Sequence, residues 1–106
     1  MGFFDIFNKK NIDQWLEEYK TTSGAILIDV RNLEEYQQGH IPESKNIPLK
    51  QLDEAASVIK DENTPLYVYC RSGVRSGRAA STLKHMGYVN VVNIGGILSY
   101  LGKVER

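Results

Sequence analysis

The sequence predicts an α/β fold: a mainly parallel central sheet of about five strands, flanked by helices on both faces. Two observations predict it. Short apolar runs alternate along the chain with stretches of helical periodicity. The clearest run, Ala25-Ile26-Leu27-Ile28 before Asp29, is apolar at every position rather than at every second one, as suits a strand covered on both faces. With 106 residues the chain is one small domain, and it needs every element to close a single core.

Each element has a local reason. Residues 1–10 read as an apolar arm, whose Phe3, Phe4, Ile6 and Phe7 could dock on the body, the simpler reading, or on a partner. Asn11 caps a helix over 11–19, with Ile12, Trp15, Leu16 and Tyr19 at i, i+3, i+4 and i+7. The run 25–30 is a central strand, and 32–38 is a short helix ended by Gly39. Asn46-Ile47 is a short strand before Pro48. Residues 49–60 read as helical, with Leu49, Leu52, Ala56 and Ile59 on one stripe. Leu66 to Tyr69 is a strand after Pro65, and 76–86 a helix whose Ala79, Leu83 and Met86 share a face. Gly87 is a natural residue just past its end. The last strong strand is 89–94, and Gly95-Gly96 opens a short final helix through Leu101.

Composition excludes several classes. Net charge is zero, so nothing global points to nucleic acid or an anionic membrane. No apolar run approaches spanning length, and the opening residues lack a secretory pattern, so the expectation is a cytoplasmic protein. The single cysteine, Cys70, rules out an internal disulfide or a paired-cysteine zinc site. Two histidines without a second thiol give no metal spacing, and no cofactor is expected. Charge is nevertheless uneven. No acid lies between Glu62 and Glu105, an interval that holds Cys70 with Arg71, Arg75 and Arg78 close behind it.

That cysteine sits where chemistry gathers in such folds, at the carboxyl end of a strand, as do Asp29 and Gly95. The segment Cys70-Arg71-Ser72-Gly73-Val74-Arg75 contains no proline after the thiol, so every residue offers an amide. A strand-to-helix loop of this kind can curl its amides around one point, and the following helix adds its positive end. These dipoles and the arginines favour a thiolate, which predicts a lowered Cys70 pKa. The spacing from Cys70 to Arg75 is C-x4-R. That is one residue shorter than the C-x5-R loop of cysteine-dependent phosphatases, and a tighter ring suits a single terminal sulfur better than a tetrahedral phosphate. The residue before the cysteine is Tyr69, where those phosphatases usually carry histidine.

Four ordered segments resemble the rhodanese-like sulfurtransferases: Asp29-Val30-Arg31 with Glu34-Glu35-Tyr36; Gly39 through Pro48; Cys70 through Ser76; and Asn93-Ile94-Gly95-Gly96-Ile97. The resemblance runs from about Asn11 onward and makes 11–106 one rhodanese-like domain. Glu43-Ser44 replaces a common Gly-Ala, a change expected to touch a turn, and Tyr100 stands where tryptophan is frequent. The resemblance implies a thiosulfate sulfurtransferase. Cys70 attacks a sulfane sulfur donor such as thiosulfate, carries a persulfide, and yields the sulfur to cyanide or a thiol. It implies that Arg71, Ser72, Gly73, Val74 and Arg75 hold the persulfide and the anionic donor. With no second cysteine, the sulfur must leave for a separate molecule, a sulfur-relay protein among the candidates.

The remaining candidates read as support. Asp29 and Arg31 suit a buried ion pair that braces the site, and Glu35 lies at i+4 from Arg31. Arg78, on the first helical turn, could face Asp29 or the substrate. His40, between Gly39 and Ile41-Pro42, suits a turn-fixing role more than catalysis. Two other functions compete with sulfur transfer. One is a phosphatase or arsenate reductase using the same thiolate. The other is a non-catalytic interaction module.

Overall fold

The computed structural model describes residues 10–106, so the Phe-rich stretch of the predicted arm lies outside the described residues. The first helix, α1 (Ile12–Thr21), has the capping box its sequence allows. The Asn11 side chain accepts from the Gln14 amide at 2.9 Å, and the Gln14 side chain accepts from the Asn11 amide. The second helix, α2 (Leu33–Gln38), repeats the device with Asn32 and Glu35.

Four strands form the sheet: β1 (Ile26–Asp29), β2 (Lys45–Asn46), β3 (Leu66–Cys70) and β4 (Val91–Gly96). They lie in the order β2-β1-β3-β4, all parallel. The predicted count of about five is thus one too high. The nearest thing to a fifth strand is a single antiparallel bridge between His40 and Glu105. The stretch expected to be one helix over 49–60 is a 3₁₀ turn (Leu49–Glu54) followed by a short α3 (Ala55–Val58). A kink at Gln51, with φ −120°, interrupts the register that its apolar stripe suggests. The helix expected at 76–86 is α4 (Val74–His85), which starts two residues earlier. The final turn is 3₁₀, Ile97–Ser99.

Side-chain alternation along β3 divides the core. Leu66, Val68 and Cys70 face α3, α4 and their loops, among Ile28, Leu52, Ala55, Ala79 and Leu83. Tyr67 and Tyr69 face α1, among Ile12, Leu16, Leu27, Ile41 and Ile94. Both faces of the sheet are therefore covered, as the continuous apolar runs require. The same alternation points Cys70 toward the helix that follows it. No helix among the described residues is long and apolar enough to cross a membrane.

Register sets the site. Asp29 pairs with Tyr69, Tyr69 with Gly95, and Cys70 with Gly96. The three strand ends that the sequence singled out stand side by side at one edge of the sheet.

Candidate active site

The loop from Cys70 to Val74 is the shortest path from the end of β3 to the start of α4. It must turn sharply, and Gly73 makes the turn with φ 101°, a conformation that penalises any side chain. The turn aims the Gly73 amide at the Cys70 sulfur, 3.0 Å away. The Ser76 hydroxyl reaches the same sulfur at 3.4 Å from the first turn of α4. Cys70 itself is fully buried.

Two opposed influences act on the thiol. Burial is the largest single one and pushes the pKa up. The Ser76 hydroxyl and the amides of Ser76, Gly73 and Ser72 together outweigh it, so the Cys70 pKa lies below its ordinary value. The direction agrees with the expectation from sequence, but the source is narrower. Hydrogen bonds and aligned dipoles do most of the work, with little from free cations.

The arginines explain why. Arg71 and Arg78 are exposed, and neither forms an ion pair among the described residues. What Arg71 contributes is its carbonyl, which accepts from the Leu98 amide at 3.2 Å and ties the loop to the chain after β4. Arg78 pairs with neither Asp29 nor any other acid among the described residues. Arg75 is half-buried, and its guanidinium grips Glu35 with two bonds, 2.7 and 3.0 Å long. Glu35 is thus the partner of Arg75 and not of Arg31, as its helical spacing had suggested. An acid from the first half of the chain reaches the basic segment through the fold. The contact holds the Glu35 carboxyl below its usual pKa, with Arg75 the main cause, and raises that of Arg75. The Cys70 thiolate adds to the latter effect, so Arg75 lies close enough to sense it.

Asp29 and Arg31 form the expected buried pair. The guanidinium donates to Asp29 Oδ2 at 2.7 Å and to the Gly39 carbonyl at 2.7 Å. Asn46 from β2 donates to the backbone carbonyls of both residues. The cluster joins β1, β2 and the turn at Gly39, and has no direct bond to Cys70. His40 also fixes structure: its ring stacks on Tyr36 at 3.7 Å, and Nδ1 meets the Tyr36 carbonyl at 2.9 Å. Glu43, in place of the common glycine, takes φ 75° and accepts from the Tyr19 hydroxyl, so that departure lies in a turn and makes no contact with the thiol.

Two participants carried no role in the sequence reading. Ser76 is fully buried, and its single hydroxyl proton has two acceptors within reach, Asn93 Oδ1 at 2.7 Å and the sulfur at 3.4 Å. Asn93 in turn accepts from the Gly95 amide and donates to the Gly73 carbonyl, each at 3.0 Å. It clasps the loop to β4. The signal was present: a lone amide inside the apolar strand Val91-Val92-Asn93-Ile94 needs a polar partner. The Gly95-Gly96 pair has the packing role expected of it. A Cβ on Gly96 would overlap the Arg71 carbonyl oxygen and lie 2.6 Å from Ser72 Cα.

The arrangement can favour a thiolate at a sulfur shielded from bulk water, with donors from the loop and the first turn of α4 directed at it. Among the described residues, no group of three or more His, Cys, Asp or Glu side chains could hold a metal ion.

Comparison with known proteins agrees with this geometry. The family model described as the rhodanese-like domain matches residues 12–103. The thiosulfate sulfurtransferase PspE of Escherichia coli is 46% identical over 71 residues, which are 66% of this chain and 68% of that protein. The putative sulfur carrier protein YrkF of Bacillus subtilis is 40% identical over 96 residues, 90% of this chain and 51% of that protein. The matched region spans between about half and two thirds of these relatives. A solved structure, "rhodanese with anions from E. coli", superimposes with a TM-score of 0.71 at 42% identity, covering 77% of this chain and 99% of that one.

Proposed function

The chain belongs to the rhodanese-like domain family, and from that premise we propose that it is a sulfurtransferase whose Cys70 carries the sulfur as a persulfide. One observation supports the reading above the others: a buried thiol whose hydrogen-bonding environment favours the thiolate, at the floor of a six-residue loop. In the first step the Cys70 thiolate attacks the outer sulfur of an anionic donor such as thiosulfate. A bond forms between Sγ and that sulfur, the donor's S–S bond breaks, and sulfite leaves with the electron pair. The terminal sulfur of the persulfide is again an anion next to the same amides, so charge is conserved and the dipoles need no rearrangement. In the second step a thiophile, cyanide or a thiolate, attacks the terminal sulfur and releases the Cys70 thiolate.

Each loop residue has a part in this reading. Ser72 and Gly73 supply amides, Arg71 and Val74 form the exposed rim, and Arg75 meets the donor's charge from its seat on Glu35. Glu35 positions the loop through Arg75, Asp29 and Arg31 brace β1, β2 and the turn at Gly39 beside it, and Arg78 lies outside it. The loop length favours sulfur over phosphate. Names among the relatives, a thiosulfate sulfurtransferase and a putative sulfur carrier protein, support a thiosulfate donor and a place in sulfur relay.

The test is intact-mass measurement of the reduced protein after thiosulfate. Gain of one sulfur on Cys70, its loss on adding cyanide, and neither event in Cys70→Ser are expected. Absence of the gain, or Cys70-dependent hydrolysis of an aryl phosphate, would refute sulfur transfer.

A further inference from the structure

The six-residue loop has an outer surface as well as the inner one that holds the thiol. Cys70 itself has no exposed surface, so an approaching molecule meets this outer rim first. Arg71 and Val74 belong to the loop, and Arg78 follows Val74 at i+4 on α4, a spacing that sets two side chains on one helix face. Leu98 adjoins them, because its amide donates to the Arg71 carbonyl at 3.2 Å. All four residues are exposed, Val74 and Leu98 at 67% each. Arg71 and Arg78 form no ion pair among the described residues. The sequence offers no acid between Glu62 and Glu105 to supply one locally. The rim therefore sets two apolar side chains beside two cations.

We propose that this rim docks a protein partner through an acidic surface, one that sets apolar side chains between carboxylates. The docking stands on the rim alone, and only what the partner exchanges with Cys70 rests on the sulfur-transfer reading. Charge complementarity selects the partner: exposed guanidinium groups favour carboxylates on the approaching surface and repel basic ones. The apolar pair selects protein over nucleic acid. A phosphate backbone has nothing to set against Val74 and Leu98, and two arginines on a chain of zero net charge neutralise too few phosphates for strong binding. Arginine beside apolar side chains is instead the composition of protein interfaces. Arg71 and Val74 are part of the loop that encloses the sulfur, so a partner seated on them stands over the site. It does so without using any donor that faces the thiol. Cyanide has no surface to dock and needs none of this rim.

The experiment follows amide NMR of the resting protein during titration with a synthetic peptide that repeats Glu-Leu-Asp-Leu. A peptide that repeats Lys-Leu-Lys-Leu and a single-stranded oligouridylate are titrated alongside it. The acidic peptide is expected to shift Arg71, Val74, Arg78 and Leu98, and the basic one to shift none of them. Arg78→Glu and Leu98→Ser should each weaken the acidic peptide about tenfold, the first by reversing a charge and the second by removing an apolar side chain. Neither side chain touches the thiol, so both variants should keep the unaltered rate of sulfur transfer to cyanide, which also shows that they fold. No binding, binding elsewhere, equal binding of the basic peptide, or an affinity indifferent to both substitutions would overturn the proposal. Tighter binding of the oligouridylate at the same amides would overturn it as well, and would assign the rim to nucleic acid. Failure of sulfur transfer itself would show as no cyanide reaction in the unaltered protein, whereas peptide binding reads the rim without any sulfur chemistry.

Discussion

Replacing Gly96 by alanine tests how the loop is held in shape. The backbone at Gly96 is extended, with φ −125° and ψ 147°, so alanine meets no conformational penalty of its own. The whole effect is steric. The new Cβ would overlap the Arg71 carbonyl oxygen and lie 2.6 Å from both Arg71 C and Ser72 Cα. Those are backbone atoms of the catalytic loop, with no flexible end to swing aside. Ordinary carbon contacts lie at about 3.5–4.0 Å, so loop and strand must part by roughly 1 Å. Overpacking of this kind costs about 1–3 kcal/mol, a sizeable part of the roughly 5–15 kcal/mol that holds a domain folded. The loop is the thinner element and should give way. The Gly73 amide then leaves the sulfur, and a displacement of this size at a reacting group can slow chemistry by about 10²-fold.

The assay has two readouts: urea unfolding for stability, and the rate of sulfur gain from thiosulfate for the site. Gly77→Ala is the control, because its Cβ would meet only the Asn93 amide nitrogen, at an ordinary 3.4 Å. In a helix that change is worth up to about 1 kcal/mol in favour of alanine. Gly96→Ala is expected to be destabilised and slow, and Gly77→Ala to be neutral or stabilised and active. If Gly96→Ala matched the unaltered protein within 0.5 kcal/mol and twofold in rate, close packing against Gly96 would not be what shapes the loop.

Other consequences are equally open to measurement. Ser76→Ala removes the side-chain bond that most strongly lowers the thiol pKa, so the pH midpoint of iodoacetamide alkylation should rise, and an unmoved midpoint would refute that role. Asp29→Asn leaves Arg31 buried at 6% exposure without its charge partner, which should destabilise by about 3–5 kcal/mol in urea, and a change under 1 kcal/mol would contradict the burial. Arg75→Gln should raise the KM for thiosulfate about tenfold, as loss of one charged contact does, and an unchanged value would mean that Arg75 serves Glu35 alone. Folding lowers the Cys70 pKa, so the thiolate's contribution to stability is complete above the unfolded thiol's pKa and disappears as pH falls through the lower folded value. The unaltered protein should therefore gain on Cys70→Ser as pH rises through that window, and a flat difference would count against a stabilised thiolate.

Local signals carried the elements, and tertiary packing decided the rest. Asn11 and Asn32 announce their helices because capping depends on residues three apart in sequence. Continuous apolar runs announce strands covered on both faces, and Cys70 marks its own loop. The break at Gln51 was hidden because the stripe of Leu52 and Ile59 satisfies a helical period over a stretch too short to distinguish α from 3₁₀. Partner choice was hidden for a different reason. Arg31 and Glu35 stand at a favourable helical spacing, but Arg31 lies before α2 and is claimed by buried Asp29, leaving Glu35 to an arginine 40 positions away. Ser76 and Asn93 acquire their roles only when α4 is laid across β4.

That last contact changes how the thiolate is understood. An acid-free segment rich in arginine suggests activation by surrounding positive charge. In the folded protein two of those arginines face solvent and the third is held by Glu35. Fixed dipoles remain: the amides of Ser72, Gly73 and Ser76, and the Ser76 hydroxyl when its proton points at the sulfur rather than at Asn93. Fixed dipoles suit a carrier better than free cations would. A cation close to the sulfur would bind an anionic donor and its anionic leaving group alike, and would hold sulfite in the site. A ring of amides instead stabilises whichever sulfur carries the charge, before transfer and after it, without tying up the product. The Glu35 contact therefore limits the force with which Arg75 grips an anion. It follows that Glu35→Gln should bind sulfite more tightly than the unaltered protein, read as a lower inhibition constant in the thiosulfate reaction. If sulfite inhibited both proteins equally, the Arg75 charge would not be what Glu35 restrains.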